Sequence, residues 1–138
     1  RAAIKTAKTS VDAWATIVRA QEAMLATIRP GVRAADVFAA GNRVLAGMGF
    51  GRPSQYCGHG IGVDVVEPPY LAAAGDHLLE PGMVLALEPW VMTDTDELAM
   101  DPDGWTLRSA TGCLTAHSEH TIAITDDGAE ILTLRRPL

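Results

Sequence analysis

His59 lies in the glycine-rich stretch Tyr56-Cys57-Gly58-His59-Gly60-Ile61-Gly62, and two glutamates follow it at apolar positions. Glu88 interrupts Met83-Val84-Leu85-Ala86-Leu87-Glu88-Pro89-Trp90-Val91, and Glu119 opens the run His120-Thr121-Ile122-Ala123-Ile124. A carboxylate in a half-buried strand is costly unless a cation or hydrogen-bond donors meet it. One imidazole and two such carboxylates suit zinc, manganese, iron or cobalt, with room left for water or substrate. An ion held there would make a bound water nucleophilic near neutral pH and would polarise a carbonyl. The three residues are far apart in sequence, unlike a compact zinc motif. A glycine-rich turn, with the carboxylates satisfied by arginine or backbone donors, fits them as well, and spacing alone leaves both readings open.

These side chains must be positioned by helices that come first and strands that come after. Trp14, Ile17, Val18, Gln21, Leu25 and Ile28 recur at helical spacing, which predicts one long amphipathic helix over residues 2–29. Pro30-Gly31 ends it, because proline disfavours helical geometry in the residue before it. A second helix follows, with Ala34, Val37, Phe38, Gly41, Leu45 and Met48 on one face and Gly49 as its C-terminal cap. Their bulk reads as core packing. Glu80-Pro81-Gly82 has the order a type II turn prefers and leads into a strand over residues 83–92. Asp101-Pro102-Asp103-Gly104 turns into Trp105-Thr106-Leu107, and Thr111-Gly112 connects that strand to Cys113-Leu114-Thr115. Asp126-Asp127-Gly128 joins residues 119–125 to 129–134 as a hairpin. Helices followed by hairpin-linked strands predict an α+β fold with an antiparallel sheet.

Alternation along a strand adds detail. Val84, Ala86 and Glu88 share one face, while Met83, Leu85 and Leu87 share the other. Glu119, Thr121, Ala123 and Thr125 share a face opposite His120, Ile122 and Ile124. Both glutamates therefore stand among small side chains, and the larger aliphatics point toward the helices. Pro89 holds Glu88 extended and offers no donor, so pairing bends or ends there. His117 and His120 flank Glu119 and are expected in packing or outer roles, with His120 on the face opposite it. His77 falls in a polar loop, and Asp12 and Asp36 on helices read as solvated.

Composition narrows the classes. A chain of 138 residues fits one domain, burying roughly two thirds of its unfolded surface. It is 48 % hydrophobic and 20 % charged, as globular proteins are. With 11 basic and 17 acidic residues, the net charge of −6 and the lack of a basic patch disfavour nucleic acid as a partner. No apolar run reaches the roughly 20 residues a membrane span needs, and the first residues do not read as a signal peptide. Cys57 and Cys113 fit reduced thiols in a cytoplasmic protein. The chain opens on Arg1-Ala2-Ala3-Ile4, with no initiator methionine and inside a helical pattern, as a fragment of something longer would.

Cys57-Gly58-His59-Gly60-Ile61-Gly62, Glu67-Pro68-Pro69, Pro81-Gly82-Met83-Val84-Leu85-Ala86-Leu87-Glu88-Pro89, Asp103-Gly104-Trp105-Thr106 and Glu119-His120-Thr121 occur in this order. Together they resemble the C-terminal half of the pita-bread metallopeptidases: methionine aminopeptidases, prolidases and aminopeptidase P, with creatinase as a metal-free relative. Asp103-Gly104-Trp105-Thr106 and Glu119-His120-Thr121 resemble the methionine aminopeptidase branch. Gln21-Glu22-Ala23, Arg29-Pro30-Gly31 and Glu67-Pro68-Pro69 lean toward prolidases, although the Arg-Ile-Glu-Asp of prolidases is absent.

The resemblance implies a pita-bread-type fold, with long helices on a curved antiparallel sheet and residues 1–138 as the C-terminal part of one catalytic domain. In that family two aspartates, a histidine and two glutamates hold two divalent metal ions. His59, Glu88 and Glu119 match the last three, with Glu88 also handling the proton and Glu119 bridging the ions. The aspartates would belong to an upstream half or to another chain. Metal-bound hydroxide would attack the carbonyl of an N-terminal peptide bond. Trp105, Val65 and Val66 match positions near the substrate. At position 66 the family has a histidine that contacts the substrate carbonyl, and valine cannot donate that hydrogen bond. The implied partners are a peptide substrate, the missing half and a second copy of the chain. Two alternatives stand beside the hydrolase: a catalytically silent domain that binds peptides or proteins, and a metal-free or altered C–N hydrolase.

Overall fold

The computed structural model describes residues 2–47, 56–95 and 97–134. Two helices come first, α1 (Ala2–Leu25) and α2 (Ala34–Gly47). Ala13, Ile17, Ala20 and Met24 form the buried stripe of α1 at helical spacing. The helix stops earlier than the residue 29 expected from periodicity. Its last turn tightens, with Thr27 N–H donating to the Met24 carbonyl, and Gly31 N–H then bonds to the Leu79 carbonyl at 2.8 Å. The first N–H groups of α2, which have no partner inside the helix, donate from Ala34 to His77 O and from Ala35 to Gly75 O, both at 2.9 Å. Asp36 in that first turn complements the helix dipole. It also pairs with Arg33, whose guanidinium hydrogen bond holds the carboxyl below its usual range. Met48 and the expected cap Gly49 lie outside the described residues.

A four-stranded antiparallel sheet follows, β1 (Gly58–Gly60), β2 (Val84–Leu87), β7 (His120–Ile124) and β8 (Ala129–Ile131), in the spatial order β1-β2-β7-β8. Two hairpin-like pairs stand apart from it: β3 (Trp90–Met92) with β6 (Thr115–His117), and β4 (Leu98–Met100) with β5 (Leu107–Ser109). Leu85 pairs with Ile122, and Leu87 with His120. Leu85, Leu87, Ile122 and Ile124 are all buried in one cluster with Met24, Ile28, Val37 and Phe38 of the helical layer. The larger aliphatics thus face the helices, as alternation predicts. A second cluster joins Ala13, Ile17, Ala20 and Leu45 to Val91 of β3.

The expected strand over residues 83–92 is broken at Glu88-Pro89. Gly82, at φ +89°, completes the turn that starts it. Glu88 N–H then leaves the β2–β7 ladder for the Cys57 carbonyl, and after Pro89 the chain pairs with β6 instead. A proline has no N–H for a ladder, so the chain changes sheets where it does. Strand β4 is additional to the sequence expectation. Trp105 lies in a turn and not in a strand: Asp103 Oδ1 accepts both Trp105 N–H and Thr106 N–H at 2.9 Å. No helix among the described residues is long and apolar enough to cross a membrane.

Candidate metal centre

His59 is the middle residue of β1, opposite Ala86. Its neighbours are glycines because the strand is clamped on both edges. A Cβ at Gly58 would strike the Ala86 carbonyl, and one at Gly60 the Pro68 carbonyl. Gly60 N–H bonds to the carbonyls of Glu67 and Pro69 at 2.8 and 2.9 Å. The clamp leaves His59 buried, 8 % exposed. Its Nδ1 lies 2.9 Å from the Gly60 carbonyl. A carbonyl only accepts, so Nδ1 carries the proton and Nε2 points elsewhere. The Tyr56 ring stacks beside the imidazole, centroids 6.1 Å apart and planes 13° from parallel.

Nε2 of His59 faces Glu88 Oε1 at 3.3 Å, and Nε2 of His117 faces the other oxygen, Oε2, also at 3.3 Å. With Nδ1 protonated, a neutral His59 turns a lone pair toward a carboxylate. Two such groups repel unless a proton or a metal cation lies between them. A histidine whose second nitrogen donates to a carbonyl is the arrangement that orients a metal-binding imidazole. The donor set therefore fits a divalent ion.

The sequence expectation for His117 is corrected. It sits on β6 opposite Trp90, and Glu88, His117 and Glu119 offer ligand atoms that all lie within 4.8 Å of one another. Residues 117 and 119 are two apart, so strand period sets them on one side and not on opposite ones. The chain leaves β6 at His117, passes through Ser118-Glu119 and enters β7 in a different sheet. Glu119 consequently precedes β7 and is exposed. His120 turns away, its Nδ1 3.1 Å from Thr133 Oγ1. His77 and Asp12 are exposed, as expected.

The carboxylate partners shift their neighbours. The hydrogen bond to Glu88 raises the His117 imidazole above its ordinary value, against burial, with the charges of Glu88 and Glu119 adding to it. Burial pushes the Tyr56 phenol up to about 12, with the Glu88 charge adding to it.

Beside Glu88 opens a cavity of about 590 Å³ whose lining includes Trp90, Met92, Leu98, Leu107, Cys113 and His117. Trp105, Val65 and Val66 are not on it; they are 88 %, 81 % and 51 % exposed. Trp90 and Met92 follow Glu88 at intervals of two, a signal that strand period could have supplied. Gln21 was also missed as a site residue. It is buried on α1, and its Nε2 donates to the Leu87 and Ser118 carbonyls at 3.1 and 3.2 Å, one residue before each candidate carboxylate.

Comparison with known proteins identifies the family and the fold. The profile of metallopeptidase family M24 matches residues 3–126. The methionine aminopeptidase of Escherichia coli strain K12 is 38 % identical over 116 residues, covering 81 % of this chain and 44 % of the relative. The crystal structure of methionine aminopeptidase from Thermotoga maritima superposes with a TM-score of 0.77 at 35 % identity, over 87 % of this chain and 50 % of that one. Dipeptidase PepE from Mycobacterium ulcerans gives a TM-score of 0.67 at 32 % identity, over 89 % of this chain and 29 % of that one. The chain spans half the length of these relatives or less. Its helices and antiparallel sheet have the pita-bread architecture over part of a domain. On its ordered motifs, its fold and this match along most of its length, the chain belongs to metallopeptidase family M24.

Proposed function

We propose that this chain is the C-terminal part of one pita-bread catalytic domain in a metal-dependent aminopeptidase that removes an N-terminal residue from a peptide. The observation that carries the reading is Glu88 held between two imidazole nitrogens, each at 3.3 Å, with the second nitrogen of His59 bonded to a carbonyl. His59, Glu88 and Glu119 would hold the metal, and the remaining ligands would come from a segment upstream of these residues or from another chain. The incomplete coverage of the relatives supports that division. A bound divalent ion supplies Lewis acidity toward the scissile carbonyl and lowers the pKa of water.

The chain's own residues do the rest. His59 is held in one tautomer and orientation by Gly60, so that side of the site needs little reorganisation. Glu88 is only partly exposed and placed to accept a proton and return it to the leaving amine. Trp90, Met92, Leu98 and Leu107 give the adjoining cavity an apolar wall suited to an uncharged side chain at the substrate N-terminus. Tyr56 stays neutral throughout the working pH range and packs beside His59.

Native mass spectrometry with added cobalt or manganese tests the metal reading, and peptides beginning with Met or with Xaa-Pro test the reaction. Metal uptake that disappears in His59→Ala and Glu88→Ala, with metal-dependent release of the first residue by the assembled enzyme, is the expected result. Equal metal content in wild type and both variants would refute it.

A further inference from the structure

We infer that His117 is a metal ligand, so that Glu88, His117 and Glu119 form a cation-binding group contributed wholly by this chain, beside the His59 imidazole on the other Glu88 oxygen. The inference rests on the metal-centre reading above and adds to it a second imidazole on the opposite side of Glu88.

Position is the first argument. His117 is fixed at the end of β6 by its pairing with Trp90, while Glu88 lies just before β3 in the partner strand. The ladder brings the His117 Nε2 to 3.3 Å from Glu88 Oε2, leaving the other oxygen to His59. The carboxylate thus presents one oxygen to each imidazole. Glu119 completes the cluster, its donor within 4.8 Å of the other two. Two ligands bonded to one ion at about 2.0–2.2 Å stand at most roughly 4.4 Å apart, so small side-chain rotations in an exposed loop close the set.

Chemistry is the second. Among the described residues, Arg33 and Arg108 pair with Asp36 and Asp101, and no arginine or lysine pairs with Glu88 or Glu119. Among those residues, imidazole is the side chain that meets the positive charge two neighbouring carboxylates call for. Access is the third. His117 lines both the cavity beside Glu88 and a second one, about 380 Å³, that holds Glu119. Each of the three side chains therefore lines one or both cavities, with space for water or a substrate oxygen to complete the coordination.

The test is Co(II) binding by the full 138-residue chain, read by calorimetry and by the imidazole scattering in X-ray absorption. His117→Gln should weaken Co(II) by roughly ten-fold or more and reduce the imidazole scattering from two rings to one. Glu119→Ala should weaken binding while leaving both rings in place, which keeps the inference testable should the His117 variant fold poorly. Unchanged affinity and scattering in His117→Gln, with binding lost in His59→Ala and Glu88→Ala, would overturn the assignment of His117 alone. No Co(II) uptake by the wild type, or uptake unaffected by His59→Ala and Glu88→Ala, would overturn the metal centre and this inference together.

Discussion

Gln21 and Ser118 lie 97 positions apart and are joined by two hydrogen bonds, Gln21 Nε2 to the Ser118 carbonyl and Ser118 Oγ to Gln21 Oε1, each 3.2 Å. The same Nε2 donates to the Leu87 carbonyl. One amide on the first helix therefore fixes the backbone immediately before Glu88 and before Glu119. The pairing of Leu87 with His120 sets the two segments side by side, and the amide ties both to the helix where that ladder ends.

Gln21→Leu fills the same volume and leaves the carbonyls without their donor. Its expected cost is about 1–3 kcal/mol of stability, the range for buried polar groups stripped of a partner, together with weaker Co(II) binding. Thr16→Val is the comparison. Thr16 is equally buried on α1, but its hydroxyl donates only to the Asp12 carbonyl within the helix. It should lower the melting temperature and leave Co(II) affinity unchanged. Loss of affinity in both variants would mean that the effect is general loosening and not the clasp.

His117 should give the metal-free protein a pH signature. Its folded-state value is raised by the hydrogen bond to Glu88. A raised value means that the folded state holds the proton more tightly. The stabilisation is therefore complete below the ordinary value of 6.5 and is lost as pH rises through the raised one. Thermal melts of wild type and His117→Gln should differ most at the acid end of that window and converge above it. The half-exposed imidazole makes the difference small. Metal binding should run the other way, weakening as pH falls, because a proton and a cation compete for the same nitrogen.

Leu85 and Ile122 face each other across β2 and β7, both fully buried against the helices. Truncating either to alanine should cost about 2–5 kcal/mol. Ala123→Val, on the opposite and half-buried face, should change stability by far less. Denaturant unfolding of the three variants decides it, and equal losses would mean that the two faces of the sheet are packed alike.

The contrast between those two faces was legible in the sequence, because period two along Val84–Leu87 and Thr121–Ile124 separates large from small residues. The break at Pro89 was legible too, since a missing N–H acts locally. What could not be read was which strand takes over after the break. Trp90–Met92 pairs with Thr115–His117 across a long loop, a non-local choice that no periodicity encodes. His117 was misplaced for a simpler reason: it stands two residues before Glu119, so strand period puts both on one side, and only the long-range pairing with Trp90 shows that this side faces Glu88. The clasp by Gln21 was hidden in the same way. A glutamine on an apolar helical face reads as packing until the two distant carbonyls it meets are known.

Val66 offers the sharpest functional test. The Gly60–Glu67 bridge folds its segment back along the strand that carries His59, and the side chain is half exposed. Family resemblance places a histidine there, donating to the substrate carbonyl. An isopropyl group leaves that developing charge without one donor. Loss of a single oxyanion donor typically costs about 10²–10³ in turnover, so Val66→His in the assembled enzyme should raise kcat substantially, with KM much less affected. The position's exposure makes the substitution cheap, within about 0.5 kcal/mol of wild-type stability. Val65→His supplies the same imidazole one residue away, at the more exposed of the two positions, and should leave kcat unchanged. Steady-state hydrolysis of a methionyl peptide by the three proteins separates the cases. A gain from both histidines would indicate a general effect of added charge, and a gain from neither would mean that proton transfer or metal occupancy, not the missing donor, limits the rate.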